Sequence, residues 1–155
     1  MTDLVIPPPP CADALAALKA AAGRDWSEDP DLIGPRLVDW RGRYTGATPL
    51  LLLPRDVDTL QAIVRAAAAH RVALVPQGGN TGLVVGSTPD DSGRQVVLSL
   101  QRMNRVLAID KANLTVTVEA GCILQALQER AQQEGLLFPL SLAAEGSCTI
   151  GGNLA

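Results

Sequence analysis

Hydrophobic and polar positions alternate along this chain in a way that predicts a series of short, well-separated elements. In CADALAALKAAAG, residues 11–23, Ala and Leu recur on a helical period and Gly23 supplies a stop. Residues 26–40 are broken by Pro30, Gly34 and Pro35 and read as loop with short turns. The pattern becomes regular from Pro49. Leu50 to Leu53 is an apolar run between two prolines, which predicts a buried strand. Asp56 or Asp58 is placed to cap a helix whose apolar period runs through Leu60, Ile63, Val64 and Ala67 to His70. Val72 to Val75 is a second strand, so a strand, a helix and a strand follow one another at the spacing of a parallel crossover. Val96 to Leu100 is another strand. Val106 to Asp110 and Leu114 to Glu119 form a hairpin about Lys111–Asn113, with Thr115, Val116, Thr117 and Val118 in strict alternation. Ile123 to Glu134 is an amphipathic helix with Leu124, Leu127 and Ala131 inward, ended by Gly135.

Two stretches fall outside this pattern, and both are rich in glycine. PQGGNTGLVVGS, residues 76–87, comes directly after a predicted strand. EGSCTIGGNLA, residues 145–155, ends the chain, with no later element to hold its Gly-Gly pair. That abrupt end suggests part of a longer protein. In the first loop, consecutive N–H groups can converge into an anion-binding nest, and Asn80 and Thr81 add side-chain donors. A diphosphate suits such uncharged donors, because hydrogen bonds to a charged group are worth about 1.5–3 kcal/mol each. A Walker A loop requires Lys and then Ser or Thr where Leu83 and Val84 stand. A Rossmann fingerprint requires spaced glycines that open a helix, whereas Gly78 and Gly79 are adjacent. A plain turn between strands stays open on spacing alone. Two Gly/Asn/Thr loops about 70 residues apart carry more information, since together they can grip one elongated ligand from two sides.

Composition narrows the classes. Hydrophobic residues make up 47% of the 155, aromatic residues only 3%, so the core is built from Ala, Val, Leu and Ile. With 13 basic against 16 acidic residues and few rings to stack on, a nucleic-acid partner is not expected. Cys11, Cys122 and Cys148 lack any Cys-x-x-Cys spacing, which argues against structural zinc and a disulfide framework. No basic segment precedes an apolar run near Met1, and no uncharged apolar stretch is long enough to span a bilayer. These features lead to the expectation of a cytoplasmic protein with reduced thiols. Pro7 to Pro10 form an extended run expected to tether a loose N-terminus. His70, the lone histidine, reads as a helix-end residue, and Cys122 and Cys148 as small core residues. Asp39, Trp40, Arg41 and Arg43 either pack on the domain or guard a site, with packing preferred. No Ser/His/Asp set and no acid/base carboxylate pair can be assembled.

Five segments, in this order, resemble one family: DWRGRYTG; LLLPRDVDTLQAIVRAAAAHRVALVPQGGNTGLVVGS; LSLQRMNRVLAID; VEAGCILQALQE; and FPLSLAAEGSCTIGGNLA. From about Asp39 to Ala155 the chain is similar to the FAD-binding domain of the vanillyl-alcohol oxidase/PCMH flavoproteins. Within these it most resembles the D-2-hydroxyacid dehydrogenases (D-2-hydroxyglutarate dehydrogenase, D-lactate dehydrogenase and the glycolate oxidase FAD subunit). The resemblance implies an α+β fold of PCMH type. Its first subdomain is a small mixed sheet flanked by helices, with those at residues 56–70 and 123–134 covering one face, and its second subdomain is truncated. Residues 1–38 would be an N-terminal extension and residues 39–155 the first part of the FAD-binding domain. Pro76, Gln77, Gly78, Gly79, Asn80, Thr81 and Gly82 would wrap the FAD pyrophosphate, with Gly86 and Ser87 continuing the contact. Pro139, Leu142, Gly146, Ser147, Ile150, Gly151, Gly152 and Asn153 would approach the flavin and ribityl part. Members that bind FAD covalently carry a His where Asn80 stands, so the flavin is expected to be non-covalent. The implied activity is oxidation of a small-molecule D-2-hydroxy acid to a 2-oxo acid with FAD as hydride acceptor. The catalytic base and metal-binding His residues would lie beyond this chain, which alone is expected to be inactive. Two other readings stay open: a non-catalytic flavin-binding module completed by a partner chain, and a flavin oxidase of another substrate class.

Overall fold

A computed structural model describes residues 8–155. The expectation for the start of the proline run, at Pro7, lies outside the described residues, as does the reading of the segment before it. The elements follow in the order α1 (Ala12–Ala22), β1 (Trp26–Ser27), α2 (Pro30–Ile33), a 3-10 turn (Gly34–Arg36), β2 (Leu51–Leu52), α3 (Val57–Ala69), β3 (Ala73–Gln77), β4 (Gln95–Ser99), β5 (Val106–Asp110), β6 (Thr115–Val118), α4 (Leu124–Gln133) and α5 (Ile150–Leu154). No helix among the described residues is long and apolar enough to cross a membrane.

The first unit is a four-stranded sheet in the order β1-β2-β4-β3. Strands β2, β4 and β3 are parallel, with Leu51, Val97 and Val75 in one row, while β1 pairs antiparallel with β2 at the edge. The unbroken apolar runs of β2 and β4 have a physical cause: both faces are covered. Leu50, Leu52, Val96 and Leu98 point to α1 and α3, where Ala14, Leu18, Ala22, Ile63 and Ala67 meet them. Leu51, Leu53 and Val97 point the other way, onto Ile33 and Leu37. Asp56 starts α3 by accepting from the Thr59 N–H at 2.7 Å, and His70 is its C-terminal cap residue. The strand–helix–strand unit forms as expected, but β2 and β3 do not touch; β4 arrives later in the chain and inserts between them.

Two expectations are corrected here. Residues 26–40, read as loop with short turns, do hold the short α2 and the 3-10 turn, but also the strand β1. The signals are weak because β1 exists only through its pairing with Leu51 and Leu52. The start of α2 does follow local rules, with the Asp29 carboxylate accepting from the Asp31 N–H and Pro30 at the first helical position. Helix α4 does not join α3 over the sheet; α1 does. α4 packs instead on the β5–β6 hairpin, in a second core of Cys122, Leu124, Leu127, Cys148 and Ile150 with Val106, Val116, Val118, Phe138 and Leu140. Helical periodicity identifies the apolar face of a helix and says nothing of what covers it.

The two units meet at Gly121. A Cβ there would lie 1.9 Å from the Leu100 carbonyl oxygen, and the Gly121 N–H donates to the Met103 carbonyl at 2.8 Å. Beside it, the Glu119 carboxylate accepts from the Arg105 guanidinium at 2.7 Å and from the Arg105 N–H at 2.8 Å. These bonds, chiefly those from the Arg105 side chain, hold Glu119 below the usual carboxylate range. A group whose acidity is raised by folding stabilises the fold above its unfolded pKa, and that stabilisation is lost as pH falls through the folded value. The urea midpoint is therefore expected to be level near neutrality and to fall below about pH 5, with Glu119→Gln less acid-sensitive than the parent. A parent midpoint unchanged down to about pH 3 would contradict this account.

Candidate FAD-binding cleft

The first glycine loop leaves the end of β3 and is closed on itself by two side chains. Gln77 is 1% exposed, and its amide donates to the carbonyls of Arg36 (2.9 Å) and Ser87 (2.8 Å). Asn80 donates to the Val38 carbonyl at 2.8 Å and accepts from the Ser87 hydroxyl at 2.9 Å. Left-handed backbone in this loop falls to Asn80 (φ 52°) and Val85 (φ 65°), while none of its glycines has a positive φ. Asn adopts that region more readily than other residues with a Cβ, whereas a β-branched Val does not, so Val85 marks real strain. Among the described residues, the backbone N–H groups from Gly79 to Gly86 meet no protein acceptor. The loop thus presents a row of free donors.

The second loop is shaped from the opposite side. The N–H groups of Ser147 and Cys148 both donate to the Ala144 carbonyl. Thr149 bridges Ile123, and the Ile150 N–H donates to the Cys122 carbonyl at 2.8 Å. α5 begins there, although Gly-Gly is a poor helix former. The neighbour that holds the pair precedes it in the chain: the Gly151 N–H donates to the Ala120 carbonyl at 2.8 Å, and a Cβ on Gly151 would lie 2.8 Å from that of Ala120.

These two loops touch. A Cβ on Gly79 would lie 1.8 Å from the Ser147 carbonyl oxygen, and one on Gly78 would lie 2.1 Å from Thr149 Oγ1. The glycines at the tip of β3 are needed for the approach of one backbone to another. Gly82 and Gly86, by contrast, face open space. The cleft between the loops has a volume of about 770 Å³, within the size range of ligand pockets. Its walls include Pro76, Gly78, Gly79, Asn80, Thr81, Gly82, Gly86 and Ser87 from the first loop. The other side supplies Leu142, Ser147, Gly152 and Asn153.

The other expected site residues stand elsewhere. Gln77 is the buried brace described above, Ile150 belongs to the second core, and Gly151 abuts Ala120. Pro139 is exposed away from the cleft, and a Cβ on Gly146 would face the Gln125 side chain. The cleft also includes residues the sequence did not single out for it: Leu83, Val84, Ala143, Ala144, Cys148 and Ala155. Most sit between expected positions, so continuity of the loop was the available signal. Trp40 lines the cleft as well; against the expectation of packing, the residue is 63% exposed. Its neighbour Asp39 is buried, and its carboxylate accepts from the N–H groups of Tyr44, Arg41 and Arg43, foremost Tyr44, which hold it below the usual carboxylate range. Among the described residues, no wall residue of the cleft has a charged side chain. Neutral donors without counter-cations match the diphosphate of a dinucleotide, which offers many acceptor oxygens.

A family model described as an FAD binding domain matches residues 48–155, the stretch that contains both loops. The chain belongs to that family. Its curated relatives include the D-2-hydroxyglutarate dehydrogenase of Xanthomonas citri pv. viticola, 44% identical over 117 residues, covering 76% of this chain and 24% of the relative. The mitochondrial D-2-hydroxyglutarate dehydrogenase of Bos taurus is 39% identical over 143 residues, covering 92% and 26%. That of Arabidopsis thaliana is 39% identical over 128 residues, covering 83% and 22%. The chain therefore spans about a quarter of the length of these relatives. Among solved structures, an alkyldihydroxyacetonephosphate synthase superposes with a TM-score of 0.82 at 22% identity, covering 100% of this chain and 32% of that one. p-Cresol methylhydroxylase gives 0.76 at 22% identity, covering 92% and 28%. The fold is thus the expected α+β, PCMH-type FAD-binding fold. The expectation of a cytoplasmic protein does not stand, since the Bos taurus and Arabidopsis relatives are named as mitochondrial.

Proposed function

We propose that this chain is the diphosphate-holding part of an FAD-dependent dehydrogenase that oxidises a D-2-hydroxy acid to the 2-oxo acid. The observation that carries the reading is the pair of glycine loops locked face to face, with a row of free N–H groups along an uncharged cleft. The N–H groups of Gly79 to Gly82, with Thr81 and Ser87, are assigned to the diphosphate; Leu142, Ser147, Gly152 and Asn153 are assigned to the flavin and ribityl part. Gln77, Ile150 and Gly151 hold the loops in place. FAD, when bound, supplies the hydride acceptor. The chain's own residues bind and orient it. The names of the relatives support D-2-hydroxyglutarate and similar acids as the substrate class.

The test is direct. The full-length protein should purify with the visible bands of an oxidised flavin, and these should bleach with D-2-hydroxyglutarate but not with its L isomer. A colourless protein that takes up no added FAD would sink the reading. Asn80 is engaged through its amide with Val38 and Ser87 and offers no nucleophile for a covalent flavin link. Acid precipitation should therefore leave all the yellow colour in the supernatant, and colour retained in the pellet would contradict non-covalent binding.

A further inference from the structure

We infer that Trp40 is the aromatic platform of the cleft, on which a ring of the bound dinucleotide stacks. The inference rests on the flavin reading above and adds a positioning residue to it. A side chain as large and apolar as Trp is ordinarily well covered, yet this one is 63% exposed. Among the described residues it is the sole aromatic one on the cleft wall.

Its exposure does not come from a slack loop. The Asp39 carboxylate accepts three backbone N–H groups from the turn that carries Trp40, and Val38 pairs with Thr45 across its base. The same turn is tied to the first glycine loop, because the Val38 carbonyl accepts from Asn80 and the Arg36 carbonyl from Gln77. With its backbone held this firmly, the turn that carries the indole has little ordering entropy left to lose when a ligand covers it, which favours an anchor. Trp26 supplies the contrast. Its indole N–H donates to the Gly23 carbonyl at 3.0 Å and Lys19 Nζ lies 4.6 Å from its ring centre, so it is engaged within the fold.

The experiment compares the full-length protein with Trp40→Ala and Trp40→Phe by titration with FAD, FMN and ADP. Base–aromatic stacking is worth about 1–3 kcal/mol, so Trp40→Ala should weaken FAD binding about fivefold to a hundredfold or more. Trp40→Phe should restore most of the affinity. A loss shared by FMN places the flavin ring on the indole; a loss shared by ADP places the adenine there. The emission difference between the full-length parent and Trp40→Phe isolates the Trp40 indole, and saturating FAD should change that difference. FAD affinity unaltered in Trp40→Ala, or Trp40 emission unmoved by bound FAD, would overturn the inference while leaving the flavin reading intact. Failure of the parent protein to bind FAD would take down both.

Discussion

Gly79→Ala is expected to weaken FAD binding about ten- to a hundredfold and to lower the melting temperature at the same time. The added Cβ would lie 1.8 Å from the carbonyl oxygen of Ser147 and 2.8 Å from its carbon. These are backbone atoms of the opposite loop, so no rotamer change relieves the clash and the two loops must part. Overpacking of this kind costs about 1–3 kcal/mol or more, which is roughly the stated range in affinity when the distortion falls on the binding geometry. Gly78→Ala meets Thr149 Oγ1 instead, at 2.1 Å. Its defect should be milder and should be partly rescued by Thr149→Ala, a coupling that a double-mutant cycle reads directly. Gly82→Ala is the control. Its Cβ would meet nothing, so the melting temperature should hold while FAD affinity drops, since the methyl group occupies ligand space. A Gly79→Ala protein with the parent's stability and affinity would remove the structural basis of the site.

Asn80→Ala should be nearly as damaging, for a different reason. It loses the bonds to Val38 and Ser87, about 0.5–1.5 kcal/mol each. It also places a residue without a local acceptor in left-handed backbone, at about 1–2 kcal/mol. Together these amount to about 2–5 kcal/mol on the loop, of which the part felt by the cofactor corresponds to a loss on the order of a hundredfold in FAD affinity. Asn80→Gly separates the contributions, since it tolerates φ 52° but cannot bond; it should fall between parent and alanine. Equal affinities for Asn80→Ala and Asn80→Gly would show that backbone conformation is not part of the effect.

Much of this molecule is legible in local pattern. A cap at Asp56 or Asp58 and the apolar period predicted α3, alternation predicted β6, and apolar runs predicted β2 as a buried strand and β4 as a strand; the structure adds that both are covered on two faces. The two glycine loops also stood out as the places where no regular element accounted for the residues. Other features depend on distant partners. β1 is two residues long and exists because Leu51 and Leu52 lie beside it. α5 forms across a Gly-Gly pair whose first N–H is held by the Ala120 carbonyl, where a side chain on Gly151 would not fit.

Residue order alone thus determined which of the longer segments are helix or strand, which faces are apolar and which stretches can expose consecutive backbone donors, because these follow from short-range sterics and hydrogen bonding. Tertiary structure decided the rest. It set α1 rather than α4 against α3, turned Gln77 and Ile150 inward, left Trp40 on the cleft wall, and brought Gly79 against Ser147. Those outcomes hinge on contacts between residues far apart in the chain, where packing and not local propensity sets the free energy.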